Sequence, residues 1–177
     1  NSASQFAAWR AYARSAARPL PAALQIDTGM SRLGLSAGAA LTAAQDPELA
    51  GELDLKLLMT HLACGDEPAR GANREQLLRF EAVAAHFPAV SKSSANSADA
   101  FLPHNFHRDI VRAGIALFGI APVAEARSLQ PAVRLEARIL QIRTVDAGTG
   151  VGYGLDHVAN TSQRLATIAM GYADGCP

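Results

Sequence analysis

Cysteine is scarce in this sequence. Its two copies, Cys64 and Cys176, stand far apart and form no C-x-x-C pair. Neither a disulfide framework nor a metal site is expected, and a reducing cytoplasm is the default compartment. Long apolar runs are missing too, which argues against a membrane-spanning helix. The opening NSASQFAAWR lacks the basic and apolar regions of a signal peptide. Net charge is absent: 16 basic and 16 acidic residues balance, so no nucleic-acid or membrane partner is implied. Lysine is confined to Lys56 and Lys92. The other basic residues are arginine, which suits fixed recognition of carboxylate and phosphate; a GC-rich coding sequence gives the same skew. No methionine starts the chain and a turn-like dipeptide ends it. Both ends are expected to be cut rather than finished.

What is present is ordinary globular material. Of 177 residues, 49% are hydrophobic and 18% charged, enough for one domain or one and a fraction. Helical spacing of Phe6, Trp9, Ala13 and Ala17 predicts a helix over 2–17. A short apolar strand follows at 23–27. An alanine-rich helix is expected over 36–50, with Ser36 as its N-cap. A strand at 54–61, an amphipathic helix at 73–87, a strand-like stretch at 89–96, a short helix and a strand at 109–112 come next. This alternation predicts an α/β fold with parallel strands. The strand ends at Asp27, His61 and Asn96 are separated by about the 30 or more residues of a βα unit. Four such units cannot close an eight-stranded (β/α)8 barrel, but they are enough for half of one. Past a proline-containing stretch at 122–131, residues 133–148 and 164–175 alternate with a period of two. They read as the beginning of an antiparallel β-domain. The division is expected as 1–125 and 126–177.

In a parallel barrel, reactive groups gather at the carboxyl ends of strands. Those positions hold Asp27 with Thr28 and Arg32, then His61, then Asn96 with Ser97, then Arg112 with Gly114 and Ile115. Singly, each has a plainer reading: a packed or capping histidine, a surface arginine, a helix start. Together, a hydroxyl and free backbone N–H groups after the last two strands make a phosphate site.

Six segments in order carry a resemblance. IDTGMSRLG (26–34) resembles the D-T-G-M-x-R-L-G segment of alanine racemases. THLACGDEP (60–68) resembles their T-H-F-A-x-A-D-E, SSANSAD (93–99) their A-N-S-A, and DIVRAGIALFG (109–119) their M-V-R-x-G-I-A-x-Y-G. LEARILQIRTVDAGTGVGYG (135–154) resembles the opening of their C-terminal domain, and IAMGYADGCP (168–177) their I-G-Y-A-D-G-x-P.

The resemblance implies pyridoxal 5'-phosphate as cofactor, alanine as substrate, interconversion of its L and D forms for peptidoglycan supply, and a homodimer. It implies two bases on opposite faces of the substrate, a lysine and Tyr153. A free phenol is a weak base at neutral pH. The implied remedy is a chain from Tyr153 to His61 to Arg112, whose fixed positive charge favours tyrosinate. Arg112 also faces the pyridine nitrogen, Arg32 the cofactor's phenolic oxygen, and Ser97, Gly114 and Ile115 the phosphate. Tyr172 narrows the substrate entrance. In the family's dimer, Tyr153 serves the cofactor of the partner barrel.

Three departures stand out. The family's cofactor lysine, in a V-K-A-N-A-Y-G-H-G segment, has no counterpart, since Lys56 and Lys92 sit in other surroundings. Gln25 stands where many members carry a carbamylated lysine, so no carbamate is expected; its amide oxygen is free to accept from Arg32. Phe118 replaces a common tyrosine. A half-barrel with unpaired edges invites association, so the chain alone is expected to be poorly stable and inactive. Two rival readings are a serine or broad-specificity racemase of the same fold and a non-catalytic cofactor-binding relative.

Overall fold

The computed structural model describes residues 1–103 and 106–175. Cys176, one of the two cysteines weighed above, lies outside them. The chain divides into two compact units, Asn1–Val133 and Arg134–Pro177.

The first unit opens with α1 (Ala3–Ser15), whose first turn is capped by the Ser2 hydroxyl accepting from the Gln5 N–H at 3.2 Å. Strand β1 follows at Leu20–Gln25. The expected helix at 36–50 is two helices, α2 (Ala37–Ala44) and α3 (Leu49–Glu52). Pro47 supplies no N–H, and Asp46 takes the Glu48 N–H at 2.9 Å in a turn, so the helix breaks there. Ser36 caps α2 as its sequence position suggests, accepting from Ala39 N–H at 3.2 Å. Then come β2 (Leu53–Met59), α4 (Gly71–Ala84) and β3 (Ser91–Ser93).

The strands form one parallel sheet in the order β1-β2-β3. Leu20 pairs with Leu53 and Gln25 with Met59; Met59 in turn pairs with Ser93. Parallel neighbours need a long return path, and α2, α3 and α4 supply it. Helix α4 places Leu77, Phe80, Val83 and Ala84 on its buried face. Phe80, Ile26 and Leu58 are fully buried in the resulting core. Burying a side chain of Phe80's size contributes about 2–3 kcal/mol. Helix α1 is tied down by ion pairs of Arg10 and Arg14 with the buried Glu52 of α3, and of Arg10 with Asp46 at 2.7 Å.

The expected strand at 109–112 does not form. The Lys92 carbonyl accepts from both Asp109 N–H and Ile110 N–H. The Asp109 carboxylate accepts from the Lys92 N–H, and the Ser93 hydroxyl donates to the Ile110 carbonyl. Side chains occupy the places that ladder partners need, so the segment runs beside β3 without a regular register.

The second unit is antiparallel. Strands β4 (Ile139–Val145) and β7 (Gln163–Ile168) pair, with Thr144 opposite Arg164. Between them a small pair, β5 (Gly150–Val151) and β6 (His157–Val158), carries the 3-10 turn Tyr153–Leu155. Residues 133–138, expected in the first strand, are irregular.

Candidate functional site

The sheet's carboxyl end is belted by hydroxyls. Thr28 and Thr60 bond to each other at 2.7 Å, and the Thr60 hydroxyl also lies 2.9 Å from the Ile26 carbonyl. All three strand-end hydroxyls, Thr28, Thr60 and Ser93, are buried. A buried hydroxyl needs a partner, and this belt provides partners across three neighbouring strand ends. Gln76 of α4 reaches in beneath, donating to the His61 carbonyl at 3.1 Å and accepting from Ala63 N–H at 2.9 Å.

Arg112 plugs into the belt. Its backbone N–H donates to Ala95, fixing the chain at 3.0 Å. Its guanidinium donates to Ser93 Oγ and, at 2.6 Å, to the Thr60 carbonyl. The same nitrogen lies 3.4 Å from His61 Nδ1, a long contact. Guanidinium only donates, so Nδ1 must accept, and the neutral imidazole carries its proton on Nε2. Half-burial, then the charges of Arg112 and Arg32, hold the His61 pKa below its usual value. Burial also lowers the Arg112 pKa, opposed by Asp99; arginine stays charged regardless.

Beside this pair the Ser97 hydroxyl is held by two backbone N–H groups. The Ser97 hydroxyl accepts from Gly114 N–H at 2.6 Å and from Ala116 N–H at 3.3 Å. With both lone pairs engaged, its own proton is left to donate. His61, Asn96, Ser97, Arg112, Gly114 and Ile115 line one cavity of about 430 Å³. A larger apolar cavity of about 720 Å³ lies between α1 and β1, with no acidic or basic side chain in its lining. Convergent polar groups favour the smaller one as the functional site.

The loop from 28 to 34 is shaped by Asp27. One carboxylate oxygen accepts from the N–H groups of Gly29, Met30 and Ser31 at 3.0, 3.1 and 3.0 Å. Burial raises the Asp27 pKa, but these three donors together outweigh it and the net shift is downward. Asp27 therefore builds the loop. Gly34, at φ 121°, closes it where a Cβ would sit 2.6 Å from the Asp27 backbone nitrogen. Arg32 is exposed on this loop. Gln25 uses its amide N–H, donating to the Leu33 carbonyl at 3.3 Å.

Six of the residues singled out from sequence thus share one cavity: His61, Asn96, Ser97, Arg112, Gly114 and Ile115. Tyr153 and Tyr172 belong to the second unit and stand 96% and 82% exposed there. Among the described residues no cluster of three His, Cys, Asp or Glu is placed to hold a metal ion, and no helix is long and apolar enough to cross a membrane.

The alanine racemase N-terminal domain model matches residues 1–122, and the alanine racemase C-terminal domain model matches 132–177. The chain belongs to the alanine racemase family. A catabolic alanine racemase of Mesorhizobium japonicum is 44% identical over 176 residues, covering 99% of this chain and 46% of that relative. An alanine racemase of Brucella canis is 42% identical over 189 residues, covering 99% and 48%. The crystal structure of the Bartonella henselae alanine racemase, with covalently bound pyridoxal phosphate, superposes with a TM-score of 0.80 at 36% identity, covering all of this chain and 50% of that one. The chain spans about half the length of the curated relatives it matches. The mixed α/β content is that of the alanine racemase fold.

Proposed function

We propose that residues 1–125 are the C-terminal half of a (β/α)8 barrel and residues 126–177 the beginning of the β-domain of a pyridoxal-phosphate-dependent alanine racemase. That enzyme is a cytoplasmic homodimer that interconverts L- and D-alanine for peptidoglycan. The observation that carries the reading is the anchored Arg112–His61 pair sharing a cavity with Ser97, Gly114 and Ile115.

These residues suit the cofactor. A donor-rich corner at Ser97 and the Gly114 and Ile115 backbone fits a phosphate. A charged guanidinium that cannot give up its proton fits a pyridine nitrogen. When bound, pyridoxal phosphate supplies the electron sink that makes the Cα–H of the attached amino acid acidic. Arg112 would hold the pyridine nitrogen by a donated hydrogen bond without protonating it, and Arg32 would hold the phenolic oxygen. Tyr153 would take up or return a proton at its phenolic oxygen in the partner subunit's site. His61 would orient the phenol supplied by the partner subunit through its Nε2–H, and the charge of Arg112 behind it would favour the phenolate. Tyr172 narrows the entrance so that a methyl side chain is selected.

We read neither lysine of this chain as the cofactor lysine. Lys56 pairs with Asp54 at 2.8 Å, and Lys92 donates to the Pro88 carbonyl at 3.0 Å. The proposal therefore places the cofactor lysine outside residues 1–177 and expects these residues alone to be inactive.

The test is a racemisation assay of the full-length protein with Tyr153→Phe. Loss of a positioned base costs about 10²- to 10⁴-fold, and the loss is expected to be larger for proton abstraction from L-alanine than from D-alanine. Equal, small effects in both directions would refute the role of Tyr153. Faster turnover of serine than of alanine would shift the reading to a broad-specificity racemase.

A further inference from the structure

We propose that Asp99 is a positioning residue: seated in space that only a glycine at 65 leaves open, it locks the turn that holds the Ser97 hydroxyl in the anion cradle. This rests on the reading of Ser97 and Gly114 as that cradle and adds two residues to its support.

The turn is closed from both sides. Asn96 Oδ1 accepts from Ala98 N–H at 2.8 Å and Asp99 N–H at 3.3 Å. In return Asp99 Oδ2 accepts from Asn96 N–H at 3.1 Å. The exchange has the reciprocal logic of a capping box. Ser97 sits inside the turn, so its backbone has little freedom and its Oγ meets Gly114 and Ala116.

The second half of the device is Gly65. Asp99 is fully buried, and its Oδ1 has no hydrogen-bond partner. A Cβ on Gly65 would lie 2.5 Å from that oxygen and 3.0 Å from Cγ. Any larger residue at 65 must displace the Asp99 carboxyl.

An unpartnered buried oxygen is far better tolerated on a neutral acid than on a carboxylate. Burial pushes the Asp99 pKa up; the Asn96 N–H, Arg112 and His107 oppose it, and Asp66 reinforces it. Arg112, His107 and Asp66 are the charged or titratable groups that bear on it. The further burial raises the Asp99 pKa, the less charge this carboxyl sets against an anion beside it.

The test uses the full-length protein and two readouts. Amide hydrogen exchange follows Gly114 and Ala116, the donors to Ser97. Sulfate, a dianion across the working pH range, reports binding in the cradle. Asp99→Ala is expected to speed exchange at both amides roughly tenfold. Asp99→Asn, whose amide oxygen can still accept from Asn96, keeps wild-type protection. Gly65→Ala loosens the same amides, and adding it to Asp99→Ala costs nothing further, because the clash is gone. Sulfate affinity falls more steeply with rising pH in the wild type than in Asp99→Asn. Wild-type protection in Asp99→Ala, loss of protection in Asp99→Asn equal to that in Asp99→Ala, or identical pH slopes would overturn the proposal. If the amides respond as stated but sulfate never binds, Asp99 still positions Ser97, and it is the cradle reading that fails.

Discussion

Ile26, Leu58 and Phe80 of the first unit are fully buried, whereas Leu140, Ile142 and Ile168 of the second stand 59%, 48% and 44% exposed. The strand patterns of the two units are comparably apolar. The difference is that helices cover the parallel sheet, while β4 and β7 form a two-stranded pair with Ala159 as the one buried hydrophobic among the unit's described residues. Alternation makes a strand; a core needs a second layer. The chemistry divides the same way. Arg112 is fixed by three groups, while Tyr153 rides an exposed turn flanked by Gly152 and Gly154 at φ 80° and 70°. The first unit can preorganise its groups by itself. The aim of the second unit's tyrosines depends on whatever covers them.

The largest effect expected from this contrast is at Phe80. Phe80→Ala should cost about 3–5 kcal/mol in urea unfolding, because it empties the centre of the first core. Next comes Asp99, whose pKa is raised by burial. Its contribution is fully present below the unfolded pKa and is lost as pH rises through the folded one. Asp99→Asn should therefore gain stability relative to the wild type between acidic and neutral pH. A difference independent of pH would contradict that burial.

His61 has the opposite sign. Its folded pKa is depressed by burial, then by Arg112 and Arg32, so its contribution is present above the unfolded pKa of about 6.5 and is lost as pH falls through the folded value. Arg112→Gln should raise the His61 pKa in an NMR titration, and an unchanged pKa would remove the electrostatic link between them. The smallest effect is expected at Leu140. Leu140→Ala should change stability by no more than about 0.5 kcal/mol. A loss as large as that at Phe80 would mean that the β4 face is covered in the full-length protein, and the contrast between the units would disappear.

Much of the first unit was legible because helical and strand periods are local. Ser36 as a cap and the buried face of α4 follow from spacing alone. The break at Pro47 was missed, because the alanine-rich flanks outweighed the one residue that cannot donate. The strand expected at 109–112 failed for a reason no period reveals: Asp109 and Ser93 compete with the backbone for its partners. At the site, His61, Ser97 and Arg112 stood at strand ends in the sequence, and six ordered motifs gave them meaning. Thr60, Ser93 and Gln76, which hold Arg112 and the loop after His61, were not singled out, and Thr28 was noted only for its place at a strand end. Hydroxyls and amides inside apolar stretches look like ordinary strand and helix residues until the partners across the sheet are known. Gly65 and Asp99 were hidden similarly, because their fit is between two loops distant in sequence.

The most direct measurement is a crystal structure of the full-length protein with pyridoxal phosphate bound. The account predicts phosphate oxygens within about 3 Å of Ser97 Oγ and of the Gly114 or Ile115 N–H, with the pyridine nitrogen facing Arg112. A phosphate held elsewhere, with Ser97 and Arg112 turned only to solvent, would contradict it.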